Sequence, residues 1–305
     1  MIQAIIDIGS NSIRLAIYKI DESKEIKLLM NKKEIARLAA YVVNGIMTTE
    51  GIDKACYILS EFKNLLDNLQ INNVISFATA AIRNARNSDE VVRCIENNTG
   101  LKIIVLSGKE EAGLGFLGAI KDIKNEHGVM VDIGGGSTEI VVYNNCEIKY
   151  AFSLPIGALN LTKMYVKGIL PNKEECIAIE NAVLNEIKSN KNLSADKCIV
   201  IGGIGGTVRG ACKINNYLLK LPEDNKKITV DKVKKIIALL VEDNTDSFVS
   251  KNTLHLLLNT VPERVETIVT GMIILNTLID YFQSEIVILS NSGVREGYIE
   301  KYILC

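Results

Sequence analysis

The sequence predicts an α/β protein of two related lobes, each built on a mixed sheet, and three observations carry that reading. The stretch AIIDIGSNSIRLAIY (4 to 18) lies over VMVDIGGGSTEIVVY (129 to 143), with Asp7 over Asp132, Ser12 over Ser137 and Tyr18 over Tyr143 at a constant spacing. Each copy is followed by short apolar runs alternating with stretches of helical period, so helices are available to cover both sheets. The chain has 305 residues, about two domains at roughly 150 residues each. The division falls near residue 120, giving lobes of 1–119 and 120–305, with a C-terminal helix over 295–305 able to pack back on the first lobe.

Each repeat copy reads as an apolar strand ending at Asp, a Gly/Ser turn and a second strand, that is, a hairpin with a polar tip. After the first copy the pattern gives a helix over 49–69, a strand VISFAT (74–79), a helix from 80 through 97, a strand KIIVLS (102–107) and a helix over 109–123. After the second it gives a helix over 173–190, a strand CIVIGG (198–203), helices near 207–219, 231–240 and 262–282, and a strand EIVILS (285–290). In the last helix Val265, Ile268, Val269, Met272, Leu275, Ile279 and Phe282 recur at helical spacing, while Glu266, Asn276 and Asp280 make it too polar for a membrane span. No Pro-rich or Ser-rich tether separates the lobes.

Composition narrows the function classes. Lys+Arg number 35 against 36 Asp+Glu, a net charge of -1, so no global positive field gathers nucleic acid or another polyanion. Any anionic ligand is held by a local site. The seven cysteines show no metal-finger spacing and there are only two histidines, His127 and His255, without partners at catalytic spacing. Reduced thiols in a cytoplasmic protein are the expectation, and the N-terminus lacks the pattern of a signal peptide.

The two hairpin tips are the first candidates for chemistry. Glycine lets a turn reach positive φ and lets backbone N–H groups approach an anion without a Cβ in the way. Gly9, Ser10, Asn11 and Ser12, and in the second copy Gly134, Gly135, Gly136, Ser137 and Thr138, are therefore candidate phosphate contacts, with Asp7 and Asp132 as acceptors for a divalent cation or a water. A plain hairpin with a turn-stabilising Asp is the alternative, and duplication of the pattern favours the phosphate site. Four further strand ends run into small or polar residues and then a helix: FATAAIRNARN, LSGKEEAGLGF, VIGGIGGTVRG and LSNSGVREGYI. Arg83 offers a bidentate fork to an anion or stands as a solvated helix residue. Gly206 and Thr207 open a helix, as an anion site or a simple cap. Glu110 and Glu111 stand in a first helical turn, where the macrodipole favours carboxylates without any chemistry. GxGxxG fails on spacing, and neither GxxxxGK[ST] nor GxSxG occurs.

Taken in order, DIGSNSIRLAIY, ATAAIRNARN, LSGKEEA, VDIGGGSTEIVVY, GGIGGTVRG and SGVREG resemble the exopolyphosphatase / guanosine pentaphosphate phosphohydrolase (Ppx/GppA) family over nearly the whole chain. The resemblance implies two ribonuclease H-like lobes of the actin, Hsp70 and sugar kinase superfamily with an interlobe cleft, in the short two-domain form. It implies Glu111 as catalytic base, Arg83 on the phosphate being cleaved, and Asp7, Asp132 and Glu139 around Mg²⁺ or another divalent cation and the attacking water. It further implies a phosphoanhydride hydrolase acting on inorganic polyphosphate or pppGpp, with a homodimer as the expected assembly and neither nucleic acid nor membrane as partner. A kinase or ATPase of the same superfamily, or a non-catalytic polyphosphate sensor, are the rivals. The segment ARLAAYVVNGIMTTEGI (36–52) keeps Arg37 and Leu38 but departs from the family's Gly/Glu/Gly pattern after them.

Overall fold

The first strand, β1 (Ile2–Ile8), is buried from Gln3 through Ile6 and again at Ile8, because it lies inside a sheet covered on both faces. β2 (Ser12–Ile20) and β3 (Ile26–Ile35) follow it as an antiparallel meander, while β6 (Val74–Ala78) and β7 (Ile103–Val105) add in parallel on the other side, giving the order β3-β2-β1-β6-β7. Between them run a short 3₁₀ turn (Leu38–Tyr41) and a two-stranded ribbon of β4 (Val42–Val43) and β5 (Ile46–Met47). The computed structural model describes residues 1–190, 197–242, 244–245 and 248–304, and divides into Met1–Glu111, with the end of the chain from Lys301, and Ala112–Glu300.

In the first unit the face carrying Ala4, Ile6 and Ile8 of β1 and Ile13, Leu15 and Ile17 of β2 is covered by α1 (Thr49–Asn68) and α3 (Ser88–Thr99). Helix α1 buries Ile52, Ala55, Leu59, Phe62 and Leu66, the three-and-four spacing of an amphipathic helix, and Thr48 caps it by accepting from Gly51 N. The continuous helix expected over 80–97 is broken. A short α2 (Ala80–Arg83) ends at Asn84, and α3 starts anew after Asn87. The Asn87 side chain accepts from Met47 N at 2.9 Å and donates to Met47 O at 3.0 Å, so it bonds β5 rather than continuing or capping a helix.

The second unit repeats the plan with one strand more: β8 (His127–Ile133), β9 (Thr138–Asn144) and β10 (Glu147–Leu154) form the meander, β11 (Val200–Ile204) and β15 (Ile286–Leu289) extend it in parallel, and β12 (Lys227–Thr229) closes the edge antiparallel. Both units thus share the ribonuclease H-like strand order, and the fold is α/β with two mixed sheets. Around the second sheet lie α5 (Ala158–Tyr165), α6 (Lys173–Ser189), α7 (Gly205–Leu219), α8 (Val230–Glu242), α9 (Lys251–Thr260) and α10 (Ile268–Tyr281), with a small ribbon of β13 (Asn244–Thr245) and β14 (Phe248–Val249). Helix α10 is buried over eleven of its positions, so apolar residues surround it on all sides. It starts later than 262, because Val261 and Pro262 open a 3₁₀ turn, Pro262–Arg264, first. The sequence reading did not extract β3, β10, α5 or α9. No helix among the described residues is long and apolar enough to cross a membrane.

Helix α4 (Gly108–Ile123) runs from the first unit into the second, the division falling after Glu111. Within the second unit it crosses α11 (Val294–Tyr302) at backbone contact. A Cβ on Gly118 would stand 2.0 Å from Gly293 O, and one on Gly297 would stand 1.8 Å from Leu114 O. Asp122 of α4 adds polar anchorage by accepting from Ser290 Oγ at 2.8 Å and from Asn291 N at 3.1 Å. The SGVREG motif is therefore a helix-crossing device. Gly297→Ala should lower stability by about 2 kcal/mol through overpacking, read as a shift in urea midpoint at constant m-value.

Candidate active site

Both hairpin tips close in the same way. Gly9 N donates to Ser12 O at 3.1 Å, and Gly134 N donates to Ser137 O at 2.9 Å. A Cβ at either glycine would meet that serine oxygen at 3.0 and 3.1 Å, so a bare Cα keeps the turn tight. The tips then differ in what supports them. In the first unit the loop after β3 folds over the tip: Ala36 N and Arg37 N donate to Asn11 O at 3.1 and 2.8 Å, and Ala39 N donates to Ser10 O at 3.0 Å. Arg37 takes the left-handed region, φ 51°, to make this bend. In the second unit the N-terminus of α5 does the same work, with Ala158 N donating to Gly134 O at 2.9 Å, Leu159 N to Gly135 O at 2.9 Å and Asn160 Nδ2 to Gly136 O at 3.3 Å. Gly157 is required there, since its Cβ would come within 2.6 Å of Gly135 C and Gly136 N.

These supports aim the tips. All peptide bonds here are trans, so each N–H points opposite to the carbonyl of the same peptide unit. The carbonyls of Ser10 and Asn11 face the loop, and those of Gly134, Gly135 and Gly136 face α5. The amides of Asn11 and Ser12, and of Gly135, Gly136 and Ser137, therefore point away from their supports, a cradle of donors suited to an anion. Asn11 Nδ2 adds a buried donor without a hydrogen-bond partner, an unsatisfied group that a ligand oxygen would complete. Two predicted contacts are tied into the scaffold instead. Thr138 Oγ1 donates to Ile156 O at 2.8 Å and Thr207 Oγ1 to Ile133 O at 3.1 Å, both residues being fully buried.

In the first unit the structure joins Arg83 and Glu111. Arg83 Nη1 lies 2.5 Å from Glu111 Oε2 and 3.2 Å from Leu106 O, and its Nε is 3.3 Å from Asn84 Oδ1. Both side chains are mostly buried, 14% and 9% exposed, so this ion pair is shielded from the screening that weakens surface pairs. The adjacent Glu110 has a different task. Its Oε2 accepts from Ser107 N at 2.9 Å while Ser107 Oγ accepts from Glu110 N at 3.2 Å, a capping box at the start of α4. Hydrogen bonding by Ser107 holds the Glu110 carboxyl below its ordinary value. Its stabilising effect is thus present above the normal carboxylate range and fades as pH falls through the lowered value. Capping explains Glu110 and leaves Glu111 over for chemistry.

In the second unit Asp132 and Glu139 stand directly opposite each other across β8 and β9, which puts both side chains on one face. Like charges so placed repel unless something offsets them. Glu139, 3% exposed, accepts from Ser137 Oγ and Ser153 Oγ, each at 2.7 Å. Asp132 lies over Gly205, whose Cβ would come 2.2 Å from Asp132 Oδ1, at the positive N-terminus of α7. A pair of carboxylates suits a hard cation such as Mg²⁺, which takes one or two carboxylates and fills its shell from phosphate and water. No group of three or more His, Cys, Asp or Glu side chains that could hold a metal ion occurs among the described residues.

Two arginines escaped the sequence reading. The ladder places Arg14 opposite Asp7, and Lys33 opposite Arg14, a row of two cations beside the first-unit aspartate where the second unit has Glu139 and Ser153 beside Asp132. The repeat held the signal, since Arg14 and Glu139 are equivalent positions. Arg264 packs its guanidinium on Gly206, where a Cβ would stand 1.8 Å from Nη2. A cation over a helix N-terminus concentrates positive potential there. Nothing in the spacing of PER with VIGGIGG shows that contact. Gly205 has φ +78° and no room for a Cβ under Asp132. Gly205→Ala should therefore cost about 1–3 kcal/mol from strain, measured by chemical denaturation.

The chain is similar to known proteins along nearly its whole length. The model of the Ppx/GppA phosphatase family matches residues 16–304. A bifunctional 3-dehydroquinate synthase/phosphatase of Fusobacterium nucleatum is 28% identical over 312 residues, covering 98% of this chain and 46% of that protein. The chain thus spans about half the length of that relative. Exopolyphosphatase 1 of Mycobacterium leprae is 25% identical, covering 97% of this chain and 87% of that protein. Among solved structures, the Ppx/GppA family member of Aquifex aeolicus superposes with a TM-score of 0.79 at 27% identity, over 100% of this chain and 98% of the other. An exopolyphosphatase from Cytophaga hutchinsonii shares the fold at a TM-score of 0.84 and 20% identity, over 98% and 97% of the two chains. With the family match running from residue 16 to residue 304, the chain belongs to the Ppx/GppA phosphatase family.

Proposed function

We propose that this protein is an exopolyphosphatase, hydrolysing the terminal phosphoanhydride bond of inorganic polyphosphate to release orthophosphate. The observation that carries the reading is the shielded Arg83–Glu111 pair at 2.5 Å, set apart from the capping carboxylate one residue earlier. Phosphoryl transfer asks a protein mainly for positioning and charge stabilisation. Arg83 offers a planar fork to the terminal phosphate. As a phosphate oxygen takes over the guanidinium, Glu111 is released to orient a water and accept its proton. The outward amides of the tips hold the remaining oxygens without side-chain rearrangement.

Asp132 and Glu139 of the second unit are residues that would hold Mg²⁺ or another divalent cation, and Asp7 is the equivalent carboxylate of the first unit. When bound, such an ion supplies charge neutralisation on the phosphate oxygens. Ser137 and Ser153 fix the Glu139 carboxylate for that purpose. The guanosine pentaphosphate reaction is the second reading, because it breaks the same kind of bond at the 5′ end of pppGpp and the named groups act only on that bond. The reading includes a cytoplasmic enzyme working as a homodimer.

Side-by-side phosphate release from long-chain polyphosphate, pppGpp and ATP tests the assignment. Polyphosphate is expected to give the highest kcat/KM, and turnover of ATP to ADP alone would defeat it in favour of a kinase-like or ATPase activity. Glu111→Gln should lower kcat by on the order of 10²–10⁴ and also cost stability, since it leaves the buried Arg83 without its carboxylate. Glu110→Ala should keep kcat while losing about 1 kcal/mol of stability through the lost capping-box bond to Ser107 N. Ser153→Ala should raise the Mg²⁺ concentration for half-maximal rate by on the order of tenfold, with kcat at saturating Mg²⁺ little changed.

A further inference from the structure

Cys56 of α1 and Cys94 of α3 lie on helices that pack against each other in the first unit. Both thiols are partly exposed, both rest against the same apolar core, and they are within hydrogen-bonding reach of one another. Two neighbouring, partly exposed thiols on separate helices form a dithiol pair that the hydrolytic chemistry does not use. We propose that Cys56 and Cys94 are a redox site that takes a low-molecular-weight disulfide as oxidant and closes to a covalent link between α1 and α3.

The surroundings favour a defined order of events. Cys94 Sγ accepts from Asn98 Nδ2 at 3.4 Å. Burial, and next the neighbouring Cys94 thiol, push the Cys56 thiol up to about 11, so Cys56 is the poorer first nucleophile. The Cys94 thiolate attacks one sulfur of glutathione disulfide, forming a mixed disulfide and expelling one glutathione thiolate. The Cys56 thiolate then attacks the Cys94 sulfur, forming the internal bond and expelling the second glutathione. Two protein thiols are oxidised, one small disulfide is reduced to two thiols, and the two protein protons pass to the two glutathiones.

The position matters because these two helices support one side of the candidate site. α1 starts beside the loop that grips the first tip, with Gly51 tight against Tyr41. α3 starts at Asn87, which bonds Met47 both ways and stands just after the turn bearing Arg83. A link between them fixes that framework and constrains the unfolded chain.

The test uses the full, fully reduced chain at low micromolar concentration, incubated with glutathione disulfide, alkylated with a maleimide and mapped by peptide mass spectrometry with and without reduction. The expected result is simultaneous loss of two of the seven thiols in monomer-sized species, a peptide containing Cys56 joined to one containing Cys94, and an upward shift in Tm reversed by reductant. Exposed Cys146 serves as the internal control for reagent access. In Cys56→Ser a glutathione adduct should persist on Cys94 with no internal link. A stable glutathione adduct on wild-type Cys94, or both thiols still free after Cys146 has reacted, overturns the proposal, and that outcome needs no variant to fold.

Discussion

Everything in this structure depends on one constraint: the carbonyls of each hairpin tip must be bound from behind. A polar turn at the end of a buried strand has as many acceptors as donors, and left to water both would be hydrated. Here the acceptors are taken by a loop in the first unit and by the N-terminus of α5 in the second, and planar trans peptides leave the donors facing the other way. The glycines make this possible by closing each tip without a Cβ between its ends. A cradle of amides aimed in advance loses little entropy when an anion arrives.

The two copies solve the same mechanical problem and then diverge electrically. Asp7 and Asp132 occupy the same place at the end of a central strand, yet the residue across the ladder is Arg14 in one case and Glu139 in the other. The first has two cations, Arg14 and Lys33, along the ladder from Asp7, while in the second Glu139 accepts from two serine hydroxyls and Asp132 lies at the N-terminus of α7. Arg14 and Glu139, at equivalent positions, set the two copies apart in charge while both tips offer outward amides.

Much of this was legible in the sequence because it was periodic or duplicated. The offset between AIIDIGSNSIRLAIY and VMVDIGGGSTEIVVY set out both central hairpins, and apolar runs of the right length gave β6, β7, β11 and β15 to within a few residues. β3 was missed because eight of its ten residues are polar, charged or exposed, as expected for an edge strand. The break after Arg83 was missed because it is caused by a tertiary bond, Asn87 to Met47, and no local propensity records it. Separating Glu110 from Glu111 also required coordinates. Both have the charge for a first turn, and only the hydrogen bonds of Ser107 show which one caps. Arg264 lies far from Gly206 in the chain, and its closeness is a property of the fold alone.

The repeat has one more use. Since the tips share their closing bond and their bare glycine, equivalent positions in the two copies form a matched pair inside one molecule, one acting as reference for the other. Replacing Gly9 and Gly134 in turn breaks the same closing bond twice, once in a tip backed by the loop after β3 and once in a tip backed by α5.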